Sequence, residues 1–483
     1  MTSEAGAEAE PAQTDHRLGF LSLERELPAV DLPVEGSFPA WLSGSLIRVG
    51  PAKFEVGTHR YRHWFDGLAM LHRFSFSAGT VSYRNRFVDS PAYRAARDTG
   101  RIAYSEFATD PCRSMFRRFV TVFRTPVNGR NTNVNVDRFG DEFLAMSETP
   151  LPVMFDPQTL STLGVGEPAP GQLTVAHPHR LPGSTELISY ATHLSAATHY
   201  QLYGRAVGDT HQRMIATLPA PRPSYMHSFA VADHFAVLVE FPLVTVPMTI
   251  PLSGRPFIEN YRWRPERGTR FLVVDLETGR FEGGYRTEPF FAFHHINAFA
   301  RDGDLVIDVC AYDNADIVRA LYLDRLRAED ARVPEATPRR YVLPAGGGEV
   351  RTERLGELTM ELPRIDYDRR NGRPYRFVYG VGSREPGDFP NQLVKTDVER
   401  RESAAWSRPG TYPGEPVFVR TPGDEREDGG VLLSIVLDPS AGTSFLLVLD
   451  AAELTEVARA WVPHRIPFGL HGQHFPAVSA PND

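Results

Sequence analysis

The feature that most constrains this chain is a rhythm of short apolar runs, each closed by turn residues, that begins near Phe38 and continues through the rest of the sequence. RFLVVDLETG, DLVIDVCAYD, GVLLSIVLD and SFLLVLD are strand-length stretches rich in branched aliphatic residues. Between such runs stand LSGSL, LPGST, ETGRFEGG, PAGGG and RTPGDEREDGG, which carry the glycines, prolines and aspartates that tight turns require. Helical periodicity is scarce, and its clearest instances are residues 112–123 and a short piece near 317–327. Many short strands over 483 residues, with no break resembling a linker, favour a β-propeller, in which each blade packs on its neighbours and no second core is needed. Seven blades of about 69 residues fit the length, and so do eight shorter ones, because no fixed period repeats in the letters. The expectation is an all-β propeller with a few short helices and loops capping one face, occupying residues 17–483 as one domain behind a disordered acidic tail, 1–16. Residues 327–348 and 398–414 read as long surface loops.

Composition narrows the partners. With 52 basic and 60 acidic residues the formal charge is −8, which argues against a protein that gains affinity by displacing counterions from nucleic acid. Only two cysteines occur, Cys112 and Cys310, so neither a disulfide framework nor a thiolate zinc site is available, and a reducing, cytoplasmic setting is expected. The greasiest stretch, 236–252, is interrupted by Glu240 and prolines and falls short of the ~20 apolar residues that span a bilayer. The N-terminus has no basic region followed by an apolar core, so no leader is expected there.

Four of the sixteen histidines lie at or beside apolar runs: His177 in LTVAHPHR, His227 in PSYMHSFAV, His294 in FFAFHHINAF and His471 in IPFGLHGQHF. An imidazole buried there without a partner would be desolvated at a cost that metal coordination relieves. They are 50, 67 and 177 residues apart, so ligands would have to converge from different blades, and the propeller axis is where they can. All-imidazole coordination suits zinc, copper, nickel and iron alike. No G-x-G-x-x-G, P-loop or G-x-S-x-G motif competes for the chemistry.

The chain resembles the carotenoid cleavage oxygenases, and within them the animal branch that includes β-carotene oxygenases and the retinal isomerohydrolase. The resemblance rests on GSLIRVGPAKFEVG, HWFDGLAMLHRFSF, TDPCRSMFRRF, NVNVDRFGDEFLAMSET, TVAHPHR, PSYMHSFAV, FHHINAF, MELPRIDYDRRNGRPYRFVYGVG, YPGEPVFV and PFGLHGQHF, which run in order from about residue 42 to 475. It implies a seven-bladed propeller with an iron(II) centre ligated by His177, His227, His294 and His471. Local rivals are His179, His295 and His474; more distant branches keep only the first histidine of the AHP and FH-x-x-NA patterns. Glu148, Glu361 and Glu415 match the family's glutamates that receive the ligands' second ring N–H. A position close to the iron falls within 131–136, where Thr132 and Val134 are both candidates; threonine is usual in oxygenases and valine in the isomerohydrolase.

The implied reaction is cleavage of a conjugated C=C bond of a carotenoid or apocarotenoid by O2, giving two carbonyl products. An oxygenase is favoured over a visual-cycle isomerase because 50 arginines against two lysines resemble the product of a GC-rich bacterial genome. Residues 112–123 place Phe116, Phe119 and Phe123 near one helical face beside Arg113, Arg117 and Arg118, a pattern that suits either an amphipathic helix packed on the propeller or an interfacial one. The resemblance, whose matching region lies around the tunnel mouth, implies peripheral membrane contact. Cys112 matches a position proposed for lipidation in the animal branch, a role not carried over here. Two alternatives stand beside this reading. One is a stilbene- or phenylpropene-cleaving dioxygenase, which anchors its substrate with a tyrosine and a lysine, although only Lys53 and Lys395 exist here. The other is a non-catalytic propeller binding module holding a structural metal.

Overall fold

The structure, a computed structural model, describes residues 15–110, 131–181, 183–209, 212–476 and 478. Seven antiparallel sheets of four to six strands follow one another along the chain as the blades of a propeller. Blade I consists, from outside inward, of Leu27–Asp31, Thr80–Phe87, Leu68–Ser77, Gly44–Lys53 and Gly472–Phe475. Blade II begins at its inner edge with Asn135–Phe139 and ends with Thr162–Val165. In blade III, Leu173–Thr174 and His179–Arg180 share the inner edge. Blades IV, V and VI start with Ala230–Ala232, His295–Arg301 and Glu361–Arg364. In blade VII the inner edge is Tyr412–Pro413 with Val417–Arg420, and the outer strand is Val34–Gly36.

Both chain ends close the ring. Gly472–Phe475 is the innermost strand of the first blade, while Val34–Gly36 is the outermost strand of the last. The inner strands touch their neighbours around the axis, Gly472–Phe475 meeting those of blades II and VII.

Blade stacking explains why many strands read as continuous apolar runs. In Gly44–Lys53, Leu46 faces Val431, Leu433, Leu446 and Val448 of blade VII. Its neighbour Ile47 points the opposite way, toward Val136, Phe143 and Phe155 of blade II. Each face thus removes apolar area from water, about 1.5–3 kcal/mol per large side chain. Polar side chains on such a strand, Ser45 and Arg48 here, are buried with hydrogen-bond partners.

Several expectations need correcting. Residue 16, expected in the tail, opens the short helix His16–Phe20, which Asp15 caps, and its ring stacks on Phe389 with centroids 5.6 Å apart; residues 1–14 lie outside the described residues. Residues 327–348 are not one loop, because Thr337–Leu343 is the third strand of blade V. Its arginines disguised it, yet Arg340 is buried on Asp308 through two hydrogen bonds of 2.9 and 2.8 Å. Within 398–414, Glu402–Trp406 is the outer strand of blade VI, paired on one side only and therefore polar. A further helix, Pro91–Thr99, carries Ser90 as N-cap, Pro91 in its first turn and Gly100 in the left-handed conformation that ends it. Near 317–327 stand two short helices, Asp316–Ala320 and Leu323–Leu326. Residues 112–123 lie outside the described residues, with Cys112, Phe116, Phe119 and Phe123.

Candidate metal centre

Four inner-edge segments deliver a histidine to the same end of the axis. His177 sits between the two inner strands of blade III, and His227 precedes Ala230–Ala232 of blade IV. His294 and His471 immediately precede the inner strands of blades V and I. One ring nitrogen from each lies within 4.8 Å of the others. The remaining blades supply carboxylates: Glu148 follows the second strand of blade II, Glu361 opens the inner strand of blade VI, and Glu415 lies between the two inner strands of blade VII.

Each carboxylate stands behind one imidazole. Nδ1 of His227 is 2.5 Å from Glu148 Oε1, Nδ1 of His294 is 2.5 Å from Glu361 Oε2, and Nδ1 of His471 is 2.7 Å from Glu415 Oε1. A carboxylate only accepts, so the Nδ1 atoms carry protons, and in the neutral, metal-binding form of each ring Nε2 presents a bare lone pair. Nε2 of His294 and Nε2 of His471 are 3.1 Å apart, as are those of His177 and His227. The first of these contacts brings two acceptors together, which repel unless a cation lies between them. Imidazole nitrogens bound at about 2.0–2.1 Å and at right angles are about 3 Å apart, so this donor set fits one divalent ion.

Burial, reinforced by the neighbouring histidines, pushes His177 well below its ordinary range. Burial also lowers His471 to about 4, against the opposing pull of Glu415. Both rings are therefore neutral near pH 7, the form that ligates a metal. Burial alone would raise the carboxylates. Arg364 and His471 outweigh it at Glu415, and His294 does so at Glu361, so both are held below the usual carboxylate range.

The rival histidines are engaged elsewhere. His179 meets the Phe229 carbonyl at 3.0 Å and the Tyr367 hydroxyl at 2.9 Å. Nδ1 of His295 is 2.7 Å from Ser228 Oγ, and Nε2 of His474 is 2.7 Å from the Ser43 carbonyl. Thr132 and Val134 are separated just as clearly. Val134 lines the cavity described below and its carbonyl accepts the His471 backbone N–H at 3.1 Å. Thr132 is fully buried outside that lining.

Other residues that hold the site were not singled out from the sequence. Asn133 donates to the Phe65 and Gly67 carbonyls at 2.8 and 2.7 Å, and Asn135 donates to the Ala176 carbonyl at 2.8 Å, just before His177. Alternating asparagines in NTNVN were the available signal. Tyr225 donates to Glu148 Oε1 at 2.8 Å. Arg48 and Arg364 grip Glu415, and both lie inside segments that carry the family resemblance.

A largely apolar cavity, with empty space of ≈ 1470 Å³ that includes part of the open mouth, ends on the cluster. Phe65, Phe107, Val134, Phe257, Phe293 and Phe468 line it together with His227, His294 and His471. Neither lysine does: Lys53 pairs with Glu24, and Lys395 with Asp428.

The family described as retinal pigment epithelial membrane protein matches residues 20–476. The chain belongs to the carotenoid cleavage oxygenase family. It is 36% identical to a mitochondrial carotenoid-cleaving dioxygenase of Mustela putorius furo, over 94% of this chain and 95% of that protein. To a carotenoid isomerooxygenase of Galleria mellonella it is 34% identical, over 92% and 93% of the two chains. Among solved structures it resembles a Synechocystis apocarotenoid oxygenase variant, with TM-score 0.85 and 26% identity over 95% of this chain and 98% of the other. A cobalt-substituted form of the Synechocystis oxygenase gives the same score, identity and coverage. In this member of the family, cavity and histidine cluster share one wall.

Proposed function

We propose that the chain is a non-haem iron(II) dioxygenase that cleaves a conjugated carbon–carbon double bond of a carotenoid or apocarotenoid, one atom of O2 entering each of two carbonyl products. The observation that carries this reading is a largely apolar cavity whose wall includes His227, His294 and His471 of the four-histidine cluster. The names of the 36% identical relative and of the Synechocystis neighbours support the substrate class. Iron(II) held by His177, His227, His294 and His471 supplies the redox chemistry that activates dioxygen.

The chain's residues do the rest by position. A polyene offers no polar handle along its length, so the aromatic wall selects it by shape and by the apolar area withdrawn from water. Phe65 and Phe293 flank His227, with ring centroids 6.4 and 5.6 Å from its own. Val134 adds methyl groups that neither give nor take a proton. Glu148, Glu361 and Glu415 keep the Nδ1 protons in place and the rings turned inward.

Val134 favours a second reading, because the isomerohydrolase branch carries valine at the matching position. The lysine-anchored stilbene reading loses its basis, since Lys53 and Lys395 lie away from the cavity. Incubating the iron-loaded protein with carotenoids, apocarotenoids, a stilbene and a retinyl ester under ¹⁸O2 separates these. The expected result is two carbonyl products from a carotenoid or apocarotenoid, each carrying label. Conversion of the retinyl ester alone, with no oxygen consumed, would overturn the oxygenase reading.

A polyene partitions into lipid, so we further propose that the protein contacts membranes peripherally. No helix among the described residues is long and apolar enough to cross a bilayer. Support comes from Val246, Met248 and Leu252, which are 45%, 62% and 75% exposed and run toward the cavity-lining Phe257. Changing Met248 and Leu252 together to aspartate should move the protein from sedimenting liposomes to the supernatant. Unchanged partitioning would remove this surface from the proposal.

A further inference from the structure

The three carboxylates behind the histidines are held differently. Glu415 is fully buried and receives four donors: His471 Nδ1 at 2.7 Å and Arg364 Nε at 2.9 Å on Oε1, with the Gly472 N–H at 3.0 Å and Arg48 Nη1 at 3.2 Å on Oε2. Arg364 also donates to the Gly472 carbonyl, and Arg48 to the Leu470 carbonyl at 2.9 Å, so the two guanidiniums fix the backbone on both sides of His471. Arg48 reaches Glu415 past Gly472, where an added Cβ would lie 2.2 Å from Arg48 Cγ. Glu148 and Glu361 carry neutral donors beside their histidines: the Tyr225 hydroxyl at 2.8 Å and the Leu362 N–H at 2.7 Å. Their imidazole contacts are the shorter ones, 2.5 Å each against 2.7 Å.

A carboxylate draws the Nδ1 proton toward itself, and so enriches the electron density at Nε2, in proportion to its own unshared negative charge. At Glu415 two guanidiniums already share that charge through charge-assisted hydrogen bonds. We infer that Arg364, seconded by Arg48, is a positioning residue that makes His471 a weaker electron donor to the bound metal than His227 and His294. The two arginines thereby tune the centre through one corner. A cation that kept the centre less electron-rich would favour the divalent over the trivalent ion. This rests on the reading of the histidines as a metal centre.

Two measurements test it. In the zinc-loaded parent protein, the Nδ1 proton of His471 should resonate upfield of those of His227 and His294, the mark of a weaker hydrogen bond. Three equivalent resonances, or His471 furthest downfield, would overturn the inference. In the iron-loaded protein, Arg364→Gln should lower the midpoint potential while retaining iron, and Arg364→Lys should stay near the parent. A tenfold shift of preference toward the oxidised ion corresponds to about 59 mV for one electron. Equal potentials in the parent and Arg364→Gln, or equal shifts in both variants, would reduce the arginines to structural supports. A parent that binds neither zinc nor iron would overturn the metal-centre reading, and this inference with it.

Discussion

The histidine cluster has two unlike sides. Toward the cavity it meets Phe65, Val134, Phe293 and Phe468, whereas on the Nδ1 side of the rings stand Glu148, Glu361 and Glu415, the first two also reaching the cavity wall, with Arg48 and Arg364 on the last. The polar side gives each carboxylate at least two donors, His227 and Tyr225 on Glu148, His294 and the Leu362 N–H on Glu361, and four on Glu415. The cavity wall is mainly aromatic and aliphatic, with polar side chains such as Asn133, Ser147 and Thr149 among them. The contrast teaches a division of labour in which charge organises the ligands and shape organises the substrate, so changes on the two sides should have separable consequences.

The largest effect should come from the cluster itself. His294→Ala should abolish turnover and lower bound iron, read by metal analysis of the purified protein. Full iron and activity in that variant would move the assignment to His295. Next come the carboxylates: Glu361→Gln and Glu415→Gln should each weaken metal affinity or activity by roughly 10–100-fold. Unchanged iron retention and kinetics in both would leave them as structural charges and dissolve the polar half of the comparison. Smallest is the apolar side. Phe293→Leu should raise KM for the polyene by about tenfold at most, with iron content unchanged. Loss of iron from that variant would show that the two sides are not separable.

Much of this was legible in the sequence for physical reasons. Histidines beside apolar runs marked themselves because a buried imidazole needs a partner. The fold class followed from strand-length runs and turn clusters. Which histidine of a neighbouring pair turns inward was harder, since residues 294 and 295 on extended backbone face opposite sides and nothing in residue type says which side is the axis. Blade number was not readable because the blades share geometry and not letters, and both chain ends contribute strands to blades distant in sequence. The strand Thr337–Leu343 hid behind arginines that are buried or paired only in the folded chain. Arg48 and Arg364 were likewise invisible as site residues, because their partner Glu415 lies 367 and 51 positions away.

Four neutral imidazoles hold the metal in this reading, while the carboxylates stay on the Nδ1 side of the rings. Iron X-ray absorption on the loaded parent protein tests this most directly. The expected result is one iron per chain with four imidazole nitrogens at about 2.1 Å, and unchanged nitrogen scattering in the Glu148→Gln protein wherever iron is retained. Fewer than four imidazoles, or a first shell that loses an oxygen when Glu148 is changed, would contradict it.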